Sequence, residues 1–363
     1  MKITAINKLY HPWVGGVETH VKDIAEGIHE SFDVDVVCCN TQRKTVTETI
    51  CDIKVTKYGS WGIFFSQPIS FSFIQHFKKH GADILHFHLP NPWGVFAYFL
   101  ARPRGKVLIT WHSDIVKQKI ILFFYKPLLH WFLHNAEKII VTSPNMAKNS
   151  PFLTKFQSKI NVIPLGIQPE KYPHTPMEKN HDRFALFVGR LIYYKGVIEL
   201  IEALKKSHIT LIMIGEGPLK PHIESSAETL IKKKQLSLLP FQTKDNLNKY
   251  FNHCEFFILP STHASEAFGI VQLEAMIYGK PVISTNLPTG VPFVNQHKKT
   301  GLIVPPGNID ALAEAMAMLW NNDTLRTRYG HNAKKRCLEL FTKNDMISKT
   351  IDCLYSMNKK KDD

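Results

Sequence analysis

Two glutamates eight residues apart, Glu266 and Glu274, flank a Phe268-Gly269-Ile270 turn in segment 261–279, S-T-H-A-S-E-A-F-G-I-V-Q-L-E-A-M-I-Y-G. The apolar run 255–260 (EFFILP) reads as a strand before the turn, and the residues after it read as a helix. A helix N-terminus offers free N–H groups to a phosphate. A carboxylate on each side of that anion site would accept hydroxyl hydrogens from the two ends of a nucleotide-sugar. Eight helical residues span about 12 Å, close to the length of such a ligand. Two arbitrary glutamates on an amphipathic helix are more often a solvated pair. The apolar strand and the Phe-Gly turn favour a ligand site here.

A second constellation, 188–196 (V-G-R-L-I-Y-Y-K-G), sets Arg190 and Lys195 on a strand-to-helix loop. A guanidinium fork and an ammonium point charge suit a diphosphate. They would also stabilise charge building on a departing nucleoside diphosphate. Read alone, the two are as readily solvated surface cations. The third is Gly15-Gly16 in H-P-W-V-G-G-V-E, after the first strand and before a helix. Glycine lets backbone approach a ligand closely, though the pair also suits a plain tight turn. It is not a G-x-G-x-x-G fingerprint, and the sequence holds no Walker motif.

Histidines make the fourth. His112 in 110–114 (T-W-H-S-D) ends a strand, where it would contact a sugar hydroxyl or stabilise positive charge. Trp111 beside it is assigned to the acceptor side of the cleft. In His86-Phe87-His88 the two imidazoles share one face of a strand. No third ligand is evident in the sequence, so no metal is expected. His88 is assigned to the cleft lining, and His86 to packing or solvent. Asp33-Val34-Asp35 is formally a D-x-D, but it precedes a strand rather than ending one and reads as a solvated strand start.

These residues need elements to position them. Apolar strand-like runs alternate with helical patterns through two successive β-α-β series. The first series has strands at 2–9, 34–39, 84–87, 106–111, 138–143 and 159–166, with a helix at 17–29. A Pro-rich stretch, 168–182, reads as a linker. The second has strands at 184–188, 210–215, near 239, 255–260, 281–285 and 301–304. Its helices fall at 197–206, 219–233, 245–252 and 309–321, and a helical region ends the chain. Two such series predict an α/β protein of two doubly wound parallel sheets, with ligands beyond the strands' carboxyl ends. The expected division is 1–166 and 167–343, with a terminal helix at 344–358 rejoining the first part.

The 363 residues suffice for two such cores. Apolar residues at 44% and charged residues at 21% fit an ordinary globular protein. No apolar run reaches the ~18 residues of a spanning helix, and no secretory leader is evident, so a cytoplasmic location is expected. The six cysteines form no C-x-x-C pair, which argues against a zinc knuckle or dithiol redox site. A net charge of +14 favours anionic partners. Without an aromatic-basic RNA motif, a zinc finger or a basic heptad helix, nucleic acid is not among them. Segment 115–135 (IVKQKIILFFYKPLLHWFLHN) is apolar and aromatic with interspersed Lys117, Lys119 and Lys126. It reads as a buried helix pair, or as an amphipathic patch lying on an anionic membrane. The KKKDD tail is expected to be disordered.

Together these motifs resemble the family-4 retaining glycosyltransferases of the GT-B fold, especially bacterial mannosyl- and rhamnosyltransferase-like enzymes of surface polysaccharide synthesis. The likeness runs through N-K-L-Y-H-P-W-V-G-G-V-E (7–18), H-L-P-N-P (88–92), T-W-H-S-D (110–114) and I-P-L-G-I (163–167). It continues through V-G-R-L-I-Y-Y-K-G (188–196) and the E-x7-E run at 266–274. The resemblance implies two Rossmann-like domains facing a shared cleft. It implies a nucleotide diphosphate sugar as donor, GDP-mannose first and UDP-hexose second. It implies a glycan or lipid-linked acceptor and no obligatory metal.

Carried over, Glu274 would bind ribose and Glu266 would face the hexose. Phe268, Gly269 and Ile270 would offer backbone N–H groups. Arg190 and Lys195 would hold the diphosphate, Gly15 and Gly16 would close over it, and His112 would touch the sugar. His112, Glu266, Arg190 and Lys195 form the expected catalytic set. Leu239-Pro240-Phe241 departs from the family's usual glycine beside the base pocket. Two rival readings remain at this stage: a nucleotide-sugar epimerase or phosphorylase on the same architecture, and a basic binding protein without catalysis.

Overall fold

The structure is a computed structural model describing residues 1–13, 15–64, 67–115, 119–173 and 182–358. Residues 174–181 of the expected linker, Lys117 with the Lys119 side chain, and the tail 359–363 lie outside the described residues. The chain divides into two compact units, Met1–Pro164 with Lys343–Asp363, and Leu165–Thr342.

The first unit holds an eight-stranded sheet. Its order is Ile160–Val162, Ala136–Val141, Lys106–Trp111, Ile84–Leu89, Lys2–Ile6, Asp33–Cys39, Ile53–Tyr58 and Val46–Ile50. All neighbours pair in parallel except the edge strand Val46–Ile50, which is antiparallel. Central strands of such sheets are covered on both faces and so need near-continuous apolar runs. Ile84–Leu89 (ILHFHL) is buried at every position, its two histidines included. The order changes direction between Lys2–Ile6 and Ile84–Leu89, which makes that junction a topological switch point. Helix Gly16–Ile28 follows the first strand and buries His20, Val21, Ile24, Ala25 and Ile28 along one stripe. The terminal helix Lys343–Asn358 packs on it through Lys343 Nζ to Asp23 Oδ1 at 2.6 Å.

The second unit holds six parallel strands: Leu236–Leu239, Leu211–Ile214, Ala185–Val188, Phe257–Leu259, Val282–Thr285 and Gly301–Val304. Counted within the unit this is 3-2-1-4-5-6, the doubly wound order, with its switch point between Ala185–Val188 and Phe257–Leu259. Strand alternation builds a core on each face. Ala185 and Phe187 pack with Leu200, Leu204 and Met316, while Leu186, Phe257 and Leu259 pack with Leu273 and Met276.

Several expectations need correction. The strand expected at 159–166 spans only Ile160–Val162, and the one at 255–260 only Phe257–Leu259. The helix expected at 219–233 is two, Lys220–Ser226 and Glu228–Lys232, parted at Ala227 where the backbone leaves helical geometry (φ −112°, ψ 15°). Segment 115–135 gives one helix, Lys119–Asn135, with Pro127 inside it, rather than a pair. Asp33 opens its strand, and Asp35 lies within it facing Lys2 Nζ at 3.5 Å.

Candidate active site

The second unit's switch point is assembled by glycines and short polar links. Loop 189–196 turns back at Gly196, which has φ +68°; a Cβ there would stand 1.9 Å from the Pro260 carbonyl oxygen. Only glycine tolerates both the left-handed backbone and that approach. The Thr262 amide donates to the Tyr194 carbonyl at 2.8 Å, fastening the loop to the end of strand Phe257–Leu259. Lys195 Nζ thereby reaches Glu266 Oε2 at 2.6 Å, with both side chains nearly buried (12% and 10% exposed). Ser261 Oγ donates to the same carboxylate oxygen at 3.0 Å, and Ser261 is itself held by Thr285 Oγ1 donating to its carbonyl at 2.5 Å. Arg190 sits exposed on the loop, close enough to Tyr194 to act on its phenol electrostatically.

Gly269 has φ +72°, and a Cβ there would strike the Leu259 side chain at 2.6 Å. The helix begins only at Val271 and runs to Ile277, so Glu274 stands on it and Glu266 precedes it. The ~12 Å helical span read from the eight-residue spacing therefore does not apply. Phe268 is buried and packs against Phe341, and Ile270 is part-exposed.

Glu274 is not joined to Glu266 but has partners of its own. Lys244 Nζ lies 2.7 Å from Glu274 Oε1, the Tyr172 hydroxyl donates to the same oxygen at 3.1 Å, and the Lys244 ammonium stands 3.9 Å over the Tyr172 ring. Burial, followed by the Glu274 charge, pushes the Tyr172 phenol well up, so it remains a donor at neutral pH. Sequence reasoning missed Lys244 and Tyr172. Lys244 opens a helix after strand Leu236–Leu239, a strand-end position that could have flagged it; Tyr172 leaves no local signal.

The first unit's switch point is of another kind. His88 Nδ1 lies 3.1 Å from His112 Nε2, and the His20 ring meets both rings edge-on, at 5.7 and 4.9 Å. His86 stacks obliquely 4.3 Å from His88 and bonds Thr110 Oγ1 at 2.7 Å. All four are buried. Burial lowers each histidine: His20 to about 4, His86 to about 3, His88 and His112 well below the ordinary range. The cluster is therefore uncharged at neutral pH. His20 is the third histidine that the sequence reading did not find. The ligand atoms of His20, His88 and His112 lie within 4.8 Å of one another, a donor set that an imidazole-binding metal could use. The visible signal was a histidine on the apolar stripe of the helix that opens at Gly16.

Trp111, expected on the acceptor side, is 1% exposed. Strand alternation points it away from Thr110, and its indole donates to Asp114 Oδ1 at 2.9 Å while packing near Phe152. It is a core residue. Gly15 caps helix Gly16–Ile28, and a Cβ on it would meet the Glu18 carboxylate at 2.3 Å. Among the described residues, a Cβ on Gly16 would meet nothing within 4 Å. Packing inside the structure thus gives no reason for glycine at 16.

Two doubly wound units in succession, each with its own switch point, are the architecture of the GT-B glycosyltransferases. Comparison with known proteins agrees. Residues 14–171 match the model "Glycosyltransferase Family 4" and residues 170–336 match "Glycosyl transferases group 1". The chain is 34% identical over 369 residues to O-antigen chain mannosyltransferase C of Escherichia coli, covering 98% of each chain. It is also 34% identical over 286 residues to the D-rhamnosyltransferase WbpZ of Pseudomonas aeruginosa, covering 76% of this chain and 75% of the relative. Among solved structures, sucrose-phosphate synthase of Thermosynechococcus elongatus superposes with a TM-score of 0.79 at 20% identity, over 98% of both chains. Anabaena Alr3699/HepE in complex with UDP-glucose gives 0.77 at 19% identity, over 98% of this chain and 100% of that one. The chain belongs to the family-4 glycosyltransferases. Among the described residues no helix is long and apolar enough to cross a membrane.

Proposed function

We propose that this protein is a retaining hexosyltransferase that moves a mannose-like sugar from GDP-mannose to a hydroxyl of a glycan or lipid-linked acceptor in surface polysaccharide synthesis. UDP-hexose is the second choice of donor. The unit Leu165–Thr342 takes the nucleotide sugar, and the unit Met1–Pro164 takes the acceptor, at the cytoplasmic face of an anionic membrane. The observation that carries this reading is the pair of lysine-bound carboxylates, Lys195–Glu266 at 2.6 Å and Lys244–Glu274 at 2.7 Å, around the second unit's switch point. Each pair holds a cation ready for phosphate and a carboxylate ready for hydroxyls. The mannosyltransferase relative at 34% identity supports the choice of sugar.

In this mechanism Arg190 and Lys195 grip the diphosphate, and the backbone amides of Phe268, Gly269 and Ile270 complete the anion site. Glu274 holds ribose hydroxyls. Glu266, kept in place by Ser261 and Lys195, orients the hexose rather than attacking it. Gly16, where a side chain would meet nothing among the described residues, lets backbone approach the donor phosphate. Neutral His112 meets the sugar while His88 bonds its Nε2. The bond from C1 to the phosphate oxygen breaks as the acceptor oxygen bonds C1 on the same face. The acceptor proton passes to the departing phosphate oxygen, and the nucleoside diphosphate leaves. The two cations meet the growing phosphate charge, so no metal is obligatory.

A thermal-shift screen tests the donor: a bound sugar nucleotide at 100 times its Kd adds about 2.7 kcal/mol of stability. GDP-mannose should stabilise more than UDP-glucose. Transfer to a polysaccharide primer should fall sharply in Lys195→Ala and in Glu274→Ala; full activity in both would overturn the site. Full loss of transfer in EDTA would overturn metal independence.

A further inference from the structure

We infer that His20, His88 and His112 of the first unit form a binding site for a divalent transition-metal ion of the zinc class. Filling the site should stop transfer. That consequence alone rests on the proposed function, which gives His112 to the sugar; the site itself does not.

Three separate elements bring the ligands together. Strands Ile84–Leu89 and Lys106–Trp111 pair in parallel with His88 beside Thr110. The His112 amide carries the ladder one step further by donating to the Leu89 carbonyl at 2.9 Å. His88, Thr110 and His112 therefore share a face. Helix Gly16–Ile28 buries His20 on its inner stripe, where its ring meets both of the others. Ligands carried on strands and a helix are held more firmly than ligands on loops.

The distances are those of a metal site. Zinc–imidazole bonds are about 2.0–2.1 Å, so two nitrogens on one tetrahedral ion stand about 3.3 Å apart and their ring centres about 5 Å apart. His88 Nδ1 and His112 Nε2 are 3.1 Å apart. The ring centres of His88 and His112 are separated by 5.4 Å, and that of His20 lies 5.7 and 4.9 Å from them. One nitrogen from each ring lies within 4.8 Å of the others. The widest gap thus closes by about 1.5 Å or less.

A plain hydrogen-bonded pair of core histidines is the competing account, and it does not satisfy every atom. His88 Nε2 is buried without a hydrogen-bond partner. A buried polar atom left so costs about 1–3 kcal/mol. It also leaves the His88 tautomer unfixed. The proton can sit on Nε2 and free the Nδ1 lone pair for an ion.

The donor set selects the ion. Three imidazoles without a carboxylate suit zinc, copper or nickel, whereas magnesium and calcium take oxygen ligands. Three protein nitrogens leave a fourth position open. His20 and His112 keep 7% and 6% exposure, a way in for the ion. Once bound, it sets a double positive charge beside His112, where the proposed transfer develops positive charge at C1. Like charges so close repel.

The untagged full chain, stripped with EDTA and dialysed, is titrated with zinc sulfate in a calorimeter. It should take one zinc per chain, and cobalt in its place should show the intense visible bands of a tetrahedral site. His20→Gln should weaken zinc binding about 100-fold, the upper end of what even a supporting partner is worth. His80→Gln, which breaks the stacked pair with His76 at 4.8 Å, should leave it unchanged. Excess magnesium should not compete. If circular dichroism shows His20→Gln unfolded, X-ray absorption of the zinc-loaded wild type decides, with three imidazole nitrogens expected at about 2.0–2.1 Å. No zinc on the wild type, equal affinity in His20→Gln, or fewer than three imidazoles on the ion overturns the inference. Wild-type transfer should fall at least tenfold when the site is filled and return when EDTA is added. Whatever transfer His20→Gln retains should ignore the same zinc. A filled site with undiminished transfer would sink the placement of His112 at the sugar and leave the metal site standing.

Discussion

The two switch points are built from opposite electrostatics. In the unit Leu165–Thr342 the strand ends carry Lys195 against Glu266 and Lys244 against Glu274. In the unit Met1–Pro164 the equivalent place holds His20, His88 and His112, buried and neutral. The same kind of switch point has thus been filled once with full charges and once with none. Charged groups near phosphate neutralise the donor's large negative charge. Uncharged imidazoles near a sugar donate and accept hydrogen bonds without repelling the positive charge that develops at the reacting carbon. If this contrast is the basis of function, it should be breakable one site at a time.

The largest effect should come from Lys195→Met. It strands the Glu266 carboxylate, 10% exposed, with Ser261 as its remaining hydrogen-bond donor of that cluster. Removing one partner of a buried pair costs about 3–5 kcal/mol. Denaturant unfolding should show that loss, and the transfer rate should fall about 10²–10³-fold. The double variant Lys195→Met with Glu266→Gln should recover most of the stability and none of the activity. A single variant as stable as wild type would show that the pair is solvated and the charged half of the comparison is weak.

How much of this was legible depended on distance along the chain. Strands Lys106–Trp111 and Gly301–Val304 were read to the residue because apolar runs and flanking turn residues are local signals. Helix Pro92–Ala101 was missed because its apolar residues follow no period. The hairpin Val46–Ile50 with Ile53–Tyr58 was missed because VTETI is apolar only at its ends, although Ile53-Lys54-Val55-Thr56 alternates. Arg190, Lys195 and Glu266 announced themselves by lying at strand ends beside glycines. Lys244, Tyr172 and His20 did not, since each reaches its partner from 30 to 102 residues away or across a separate helix. Trp111 was misplaced for a related reason: strand alternation turned it opposite to the His112 side, and sequence proximity concealed that.

The neutral half predicts an acid-sensitive fold. Burial depresses the histidine pKa values, so the unfolded chain takes up protons first as pH falls. Stability is complete above about pH 6.5 and declines toward the folded pKa, about 4 for His20. Each such histidine contributes a slope of about 1.4 kcal/mol per pH unit in that window. Unfolding free energies at about pH 7.5, 6 and 5 should show the loss, and His20→Gln should remove one histidine's share. Lys195→Met should leave the slope unchanged. An identical slope in His20→Gln would mean that this imidazole is protonated in the fold, and the cluster would not be neutral.

The smallest effect on stability belongs to Lys244→Met, and it refines the charged half rather than opposing it. Lys244 is 44% exposed and Glu274 21%, so water screens their 2.7 Å contact. An ion pair in that setting is worth about 0–1 kcal/mol. Unfolding should register a change within that range, well below the cost of Lys195→Met. Yet Glu274 keeps the Tyr172 hydroxyl as a donor at 3.1 Å, so it stays oriented without Lys244. Titration calorimetry should therefore show Glu274→Gln weakening donor binding about tenfold, the order of a lost charge-assisted hydrogen bond, with Lys244→Met affecting it less. A Lys244→Met variant as unstable as Lys195→Met would mean that burial does not separate the two carboxylates. Glu274, like Glu266, would then be part of what holds the unit folded.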